Sequence, residues 1–169
     1  MGKEVYIPGA PIDRQKLNDD LVGAAKNGKR KLIKSLLAQG ADIHFNEDLP
    51  LREAAYNGWP KTTMFLIKHG ADIHACNESP LALAVVRGNP RTVEALLKAG
   101  AVPLPAIFKV ANERSRRDCL EVLLNHCPKS QLDAQLCERV PWELAVKEEL
   151  LRRGAKTREV DTIPLDLAQ

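Results

Sequence analysis

The pentapeptide GADIH stands at residues 40–44 and again at residues 70–74, so the same five letters recur 30 residues apart. A recurrence at a fixed interval between about 20 and 50 residues is typical of repeat proteins. Two series of glycines keep the same interval, namely Gly28, Gly58 and Gly88 in one and Gly40, Gly70 and Gly100 in the other. The sequence therefore predicts a structural unit that is repeated along the chain.

Apolar residues between the two glycine series have the spacing of short helices. The stripes are Leu32, Ile33, Leu36 and Leu37, then Phe65, Leu66 and Ile67, then Val93, Leu96 and Leu97. This spacing puts each stripe on one helix face, and the glycine that follows can end the helix in the left-handed conformation. A second short helix with small residues, such as Ala24 and Ala25, precedes each glycine of the first series. We predict helix hairpins that turn at this first glycine and stack on their neighbours.

The GADIH segment is expected to form the joint between stacked units. Its glycine closes the second helix, Asp42 and Asp72 can accept backbone hydrogen bonds in the turn, and Ile43 and Ile73 point into the stack. The pentapeptide would recur because the joint recurs.

The segments LREAAYNGWPKTTMFLIKHGADIH at 51–74 and SPLALAVVRGNPRTVEALLKAGA at 79–101 resemble ankyrin repeats, and the resemblance extends over residues 18–101. The family pattern opens with Thr-Pro-Leu-His, places a glycine between the helices and closes with Gly-Ala-Asp. Here Leu49 and Ser79 replace the threonine, and the interval is shorter than the family's usual ~33 residues. The resemblance implies an all-α fold, an ankyrin-repeat solenoid of stacked helix hairpins with shortened β-hairpin fingers.

The repeat divides the chain into five units between two segments that do not repeat. The predicted divisions are an N-terminal extension 1–17, repeat 1 at 18–47, repeat 2 at 48–77, repeat 3 at 78–102, a divergent repeat 4 at 103–129, a C-terminal capping repeat at 130–155 and a tail 156–169. Within repeat 4, the segment ERSRR at 113–117 predicts a lengthened connection between the helices.

Composition favours an intracellular protein and decides little about its partner. The net charge of +3 is too mild to indicate a polyanionic ligand by itself. The four cysteines form no CxxC pair, and no apolar run approaches the ~20 residues that cross a bilayer. We predict a cytoplasmic protein with free thiols, inside a host cell if its origin is viral or bacterial, and no membrane attachment.

No catalytic residue, cofactor or metal ion is expected. Cys119, His126 and Cys127 lack the spacing of a four-ligand zinc site. His44 and His74 occupy adjacent units, and helices packed ~8–10 Å apart would keep them from sharing a metal, so hydrogen bonding within the turn is the better interpretation.

Candidate contacts for a partner protein come mainly from the ankyrin resemblance. It implies that the two positions before each hairpin glycine lie on the concave face, which gives Lys26, Asn27, Tyr56, Asn57, Val86 and Arg87. Trp59 is either a further contact or a cover for the end of its own hairpin. Phe45 near a shortened finger, Arg52 in the place of the family's histidine, and Arg114, Arg116 and Arg117 in the ERSRR connection complete the set.

These residues predict a non-enzymatic protein–protein interaction module that acts as an adaptor, scaffold or inhibitor. One alternative is nucleic-acid or polyanion binding through the basic clusters, Lys26, Lys29, Arg30, Lys31 and Lys34 in unit one and the arginines of unit four. That alternative is disfavoured because few aromatic residues are present to stack on bases. A self-associating subunit of a larger assembly is the other alternative, and the chain itself is expected to be a monomer or homodimer.

Overall fold

The computed structural model describes residues 13–126, except for the side chains of residues 105, 112 and 113. Within this range the chain forms consecutive α-helices joined by short turns. They are α1 (Arg14–Lys26), α2 (Arg30–Ala38), α3 (Phe45–Tyr56), α4 (Pro60–Lys68), α5 (Ala75–Arg87), α6 (Pro90–Lys98), α7 (Pro105–Glu113) and α8 (Arg117–His126). The predicted capping repeat 130–155, the tail 156–169 and most of the N-terminal extension lie outside the described residues.

The helices form hairpins that stack in chain order. Each odd-numbered helix packs against the even-numbered helix that follows it, and α1, α3, α5 and α7 also pack on one another in that order. The core lies between these layers, where Leu21, Leu51 and Leu81 are fully buried at matched positions. The predicted all-α stack of helix hairpins is thus confirmed. Of the predicted apolar stripe of α2, Ile33 and Leu36 are buried in the core, whereas Leu32 is 44% exposed.

Both glycine series end helices in the left-handed conformation. Gly28 has φ +67° and Gly40 has φ +93°, values that suit a residue without Cβ. At the second of these ends the Ala41 N–H donates to the Leu36 carbonyl at 3.0 Å, which is the pattern of a Schellman motif. The same bonds recur one unit later, so the glycines terminate the helices as predicted.

The shortened fingers are reduced to one left-handed turn each. At the start of α3, residues Asn46, Glu47 and Asp48 all have φ between 50° and 57°, and Cys76, Asn77 and Glu78 repeat this at the start of α5. No strand forms anywhere in residues 13–126. Left-handed residues other than glycine cost roughly 1–2 kcal/mol each, so neighbouring contacts must hold these turns in place.

The connection in the fourth hairpin is not lengthened, which corrects the prediction made from the segment ERSRR. The Arg116 N–H donates to the Ala111 carbonyl at 2.8 Å, as the Asn89 N–H donates to the Ala84 carbonyl at 3.0 Å one hairpin earlier. Ser115 takes the place of the turn glycine with φ 53°. The chain is instead shortened earlier, because α7 lacks the three left-handed residues that open α3 and α5.

Candidate functional site

The hairpin turns pack on one another in a row along one edge of the stack. The Trp59 indole lies over Gly28 of the preceding hairpin, and its Nε1 donates to the Lys26 carbonyl at 2.8 Å. One hairpin later, Asn89 lies over Gly58 in the same way, and Arg116 then lies over Gly88. We call this surface, formed by residues 26–31, 56–61, 86–91 and 113–118, the turn edge.

The predicted contact residues on the turn edge include Tyr56, Trp59 and Arg87. The Arg87 guanidinium lies 5.3 Å from the centre of the Tyr56 ring, in the geometry of a cation–π pair. Trp59 is 43% exposed although it is anchored to the preceding hairpin. The second hairpin therefore places Tyr56 and Trp59 on the turn edge, where Tyr56 contacts Arg87 of the third hairpin and Trp59 contacts the first hairpin.

The position of Trp59 contradicts the interpretation that it covers the end of its own hairpin. The indole covers the turn of the hairpin before its own, because a Cβ built on Gly28 would lie 2.7 Å from Trp59 Cδ2. It does not cover the end of its own hairpin, where Asn89 occupies the space over Gly58. Position 59 thus joins two hairpins and still leaves part of the ring accessible.

The other predicted contacts near these turns are divided between capping and partial burial. The Asn27 side chain donates to the Gly23 carbonyl at 2.7 Å, and the Asn57 side chain donates to the Glu53 carbonyl at 2.8 Å, so each closes its own helix. Val86, near the end of α5, is half-buried.

Phe45 and Arg52 do not join the group on the turn edge. Phe45 is half-buried at the opposite end of α3, where the shortened finger begins. The Arg52 Nε atom is buried without a hydrogen-bond partner among the described residues. Of the three arginines in the fourth hairpin, Arg116 is partly buried against Gly88, whereas Arg114 and Arg117 are exposed.

Cations dominate the turn edge. They are Lys26, Lys29, Arg30, Lys31, Lys61, Arg87, Arg91, Arg114, Arg116 and Arg117, and the only acidic residues in the same segments are Glu113 and Asp118. None of these cations forms an ion pair with a side chain that the structure describes. The turn edge is therefore a basic surface, with ten cations and two acidic residues in its segments.

Acidic residues collect at the other end of the hairpins. We call residues 40–48, 70–78 and 100–104 the closure edge; it contains Asp42, Glu47, Asp48, Asp72 and Glu78 and neither lysine nor arginine. The second helix of each hairpin starts at the turn edge and ends at the closure edge. The stack is thus electrically polarised from one edge to the other.

Buried carboxylates hold the closure edge together. Asp48 Oδ1 accepts the Asp72 N–H at 2.8 Å, and Glu78 Oε2 accepts the Val102 N–H at 3.1 Å. Asn18 accepts the Asp42 N–H at 2.8 Å at the matching place in the first hairpin. One acceptor per unit therefore links the start of a hairpin to its closing segment.

The predicted hydrogen bonds of GADIH are present in both copies. Asp42 Oδ1 accepts the His44 N–H and Asp72 Oδ1 accepts the His74 N–H, each at 2.9 Å. The His44 ring pairs with Asp48, and the His74 ring pairs with Glu78. Each histidine serves its own turn, as the sequence interpretation held. Among residues 13–126, no three side chains of the metal-binding types converge on one point.

The two described cysteines have different surroundings, and both are free thiols. The exposed Cys76 Sγ donates to Glu47 Oε2 at 2.9 Å, and this hydrogen bond raises the pKa of the Cys76 thiol above its ordinary value. Burial raises the pKa of Cys119 to about 11. Neither thiol is activated as a nucleophile.

Comparison with known families agrees with this geometry. A sequence model of ankyrin repeats, three copies, matches residues 21–106, which is about half of the chain. The chain belongs to the ankyrin repeat family. Ankyrin repeats are in general protein–protein interaction modules and are typically non-enzymatic. No curated protein matches the sequence, and no described helix is both long and apolar enough to span a membrane.

Sequence reasoning missed two sets of residues in these ankyrin repeats. Asn89 binds the Tyr56 carbonyl at 3.0 Å, and Asn18, Asp48 and Glu78 accept the closing backbone N–H groups. A sequence signal for Asn18, Asp48 and Glu78 was available, because a polar residue recurs there every 30 positions. In two of these units it stands two residues before a buried Pro-Leu pair. Asn89 occupies the same position in its hairpin as Trp59 and Arg116 do in theirs, but the three side chains differ chemically, so no residue type marked it.

Proposed function

We propose that this ankyrin-repeat chain is a non-enzymatic protein-binding module that grips its partner through the concave helical face formed by α1, α3, α5 and α7. The observation that carries the proposal is the group of Tyr56, Trp59 and Arg87 where the first helices meet the turn edge. Tyrosine, tryptophan and arginine are the residue types most enriched among binding hot spots.

The group is held in place before any partner arrives. Trp59 is fixed by its hydrogen bond to the Lys26 carbonyl, and Arg87 lies against the Tyr56 ring. Each long side chain that must be immobilised on binding costs about 0.5–1.5 kcal/mol. Preordered side chains avoid much of this loss, which supports a role as a stiff adaptor, scaffold or inhibitor. The free thiols of Cys76 and Cys119 favour work in a reducing compartment such as the cytoplasm.

The test is affinity capture from a lysate of the source organism or its host, with nuclease present. The bait is the full chain beside a variant carrying Tyr56→Ala and Arg87→Ala. Trp59 is left intact because its loss would also loosen the contact with Gly28. A matched control carries Lys34→Ala and Lys68→Ala, which change exposed positions on α2 and α4.

We expect one protein to be retained by the wild type and by the control and lost by the Tyr56 and Arg87 variant. Urea denaturation must show that all three proteins unfold cooperatively with similar midpoints. Equal retention by all three would place the binding surface elsewhere. An enzymatic activity that copurifies with the full chain at a constant ratio of activity to protein through several columns would argue against a purely binding role.

A further inference from the structure

We propose that the turn edge binds an extended acidic segment of the partner protein, with an aspartate or glutamate at about every third residue. This inference rests on the proposed protein binding and adds the chemistry of the ligand. It concerns a surface at the ends of the helices, which adjoins the concave face and shares Tyr56 and Arg87 with it.

Charge segregation is the first argument. Helices of nine residues, such as α4 and α6, separate the turn edge from the closure edge by about 13 Å. This distance exceeds the Debye length of ~8 Å at physiological ionic strength, so the acids of one edge do not neutralise the cations of the other. The net charge of +3 conceals this separation, because the acids of the closure edge offset part of the turn edge's positive charge in the sum.

The spacing of the turns is the second argument. Trp59, Asn89 and Arg116 each touch the preceding turn, so the four turns are consecutive neighbours. Packed helices lie about 8–10 Å apart, and four turns therefore extend over about 30 Å. A chain in the polyproline II conformation advances about 3.1 Å per residue with about three residues per turn, so every third side chain lies on one face and meets a new turn.

The covering of the aromatic rings is the third argument, and it favours a peptide over nucleic acid. Arg87 lies over the Tyr56 ring, and Trp59 rests on Gly28. Single-stranded nucleic acid is bound by stacking successive bases on open aromatic faces, and one face of each of these rings is already covered. Carboxylates are matched by the planar fork of arginine, which the turn edge presents in its third and fourth hairpins.

The experiment measures fluorescence anisotropy with the full chain and a dye-labelled twelve-residue peptide that has glutamate at every third position. The same peptide with glutamine in place of glutamate is the uncharged control, and a labelled oligothymidylate of equal length is the rival ligand. The edge variant carries Arg91→Gln, Arg114→Gln and Arg117→Gln, all exposed residues without a described partner. The charge-matched variant carries Arg14→Gln, Lys34→Gln and Lys68→Gln, which lie away from the turn edge.

We expect the glutamate peptide to bind and the glutamine peptide to fail. Its Kd should rise roughly tenfold in the edge variant and about twofold or less in the charge-matched variant, because screening confines the effect to nearby charges. Three results would overturn the inference, namely no binding of the glutamate peptide, equal losses in the two variants, or tighter binding of the oligothymidylate. None of them bears on capture through Tyr56 and Arg87, since the edge variant leaves both intact.

Discussion

Replacing Gly28 by alanine should destabilise the chain through two separable terms. The residue has φ +67°, and an alanine held there costs roughly 1–2 kcal/mol. The new Cβ would also lie 2.7 Å from Trp59 Cδ2, so the indole must move. Its displacement forfeits the hydrogen bond to the Lys26 carbonyl, a contribution of about 0.5–1.5 kcal/mol, together with part of its packing. We expect a total loss of about 2–3 kcal/mol.

A double-mutant cycle with Trp59→Ala isolates the second term. In the Trp59→Ala background only the backbone cost remains, so the two substitutions should be less than additive by about 1 kcal/mol. The measurement is the free energy of unfolding from urea denaturation followed by circular dichroism. Gly40→Ala is the control, because φ is +93° there and a Cβ would meet no atom within 4 Å. Gly40→Ala and Trp59→Ala should therefore add. Additivity of Gly28→Ala and Trp59→Ala within ~0.3 kcal/mol would refute the packing argument.

Three further expectations concern the closure edge, the thiols and the cation–π pair. Asp48→Ala should cost about 1–3 kcal/mol of unfolding free energy, because it leaves the Asp72 N–H without its acceptor. Asp48→Asn keeps an oxygen there and tolerates the left-handed backbone, so it should cost less. Similar urea midpoints for the two variants would contradict this role. Glu47→Gln should accelerate alkylation of Cys76 at mildly alkaline pH, because losing the carboxylate lowers the thiol pKa and raises the thiolate fraction. Peptide mapping should show that Cys119 stays unmodified in the folded protein. An unchanged alkylation rate of Cys76 would count against the hydrogen bond. Tyr56→Leu and Arg87→Gln should show a coupling of about 0.5–1 kcal/mol in their own cycle, and strict additivity would remove the cation–π contact from the description.

The stacking of the chain was predictable from sequence because it depends on local signals repeated in phase. Gly28 and Gly40 mark the two helix ends of a unit, and apolar residues such as Ile33 and Leu36 mark its buried face. Each signal acts within a few residues of its own helix. Their recurrence every 30 residues adds the only long-range information that a stack of this kind needs.

The contacts between successive turns were not predictable because they depend on position and not on residue type. Trp59, Asn89 and Arg116 have no chemistry in common, yet each lies over the turn of the preceding hairpin. The left-handed turn at Asn46–Asp48 was equally hidden, since asparagine and aspartate adopt positive φ as single residues, whereas three successive left-handed residues without glycine are rare. The sequence indicated a shortened finger and could not supply its backbone path.

The positive charge of the turn edge follows from the stacking of the hairpins, which brings cations from separate parts of the sequence together. In the sequence, Arg87 and Arg117 are 30 positions apart and acidic residues lie between them, so no continuous basic run marks the surface. In the fold, the intervening Glu94 is paired with Lys98 on the second helix, and the arginines of successive turns are neighbours. Because like charges ~10 Å apart are largely screened by salt, their repulsion costs the stack little. A ligand that enters within a Debye length of several turns meets their combined field, so a basic edge of this kind can attract an acidic partner without weakening the repeat that displays it.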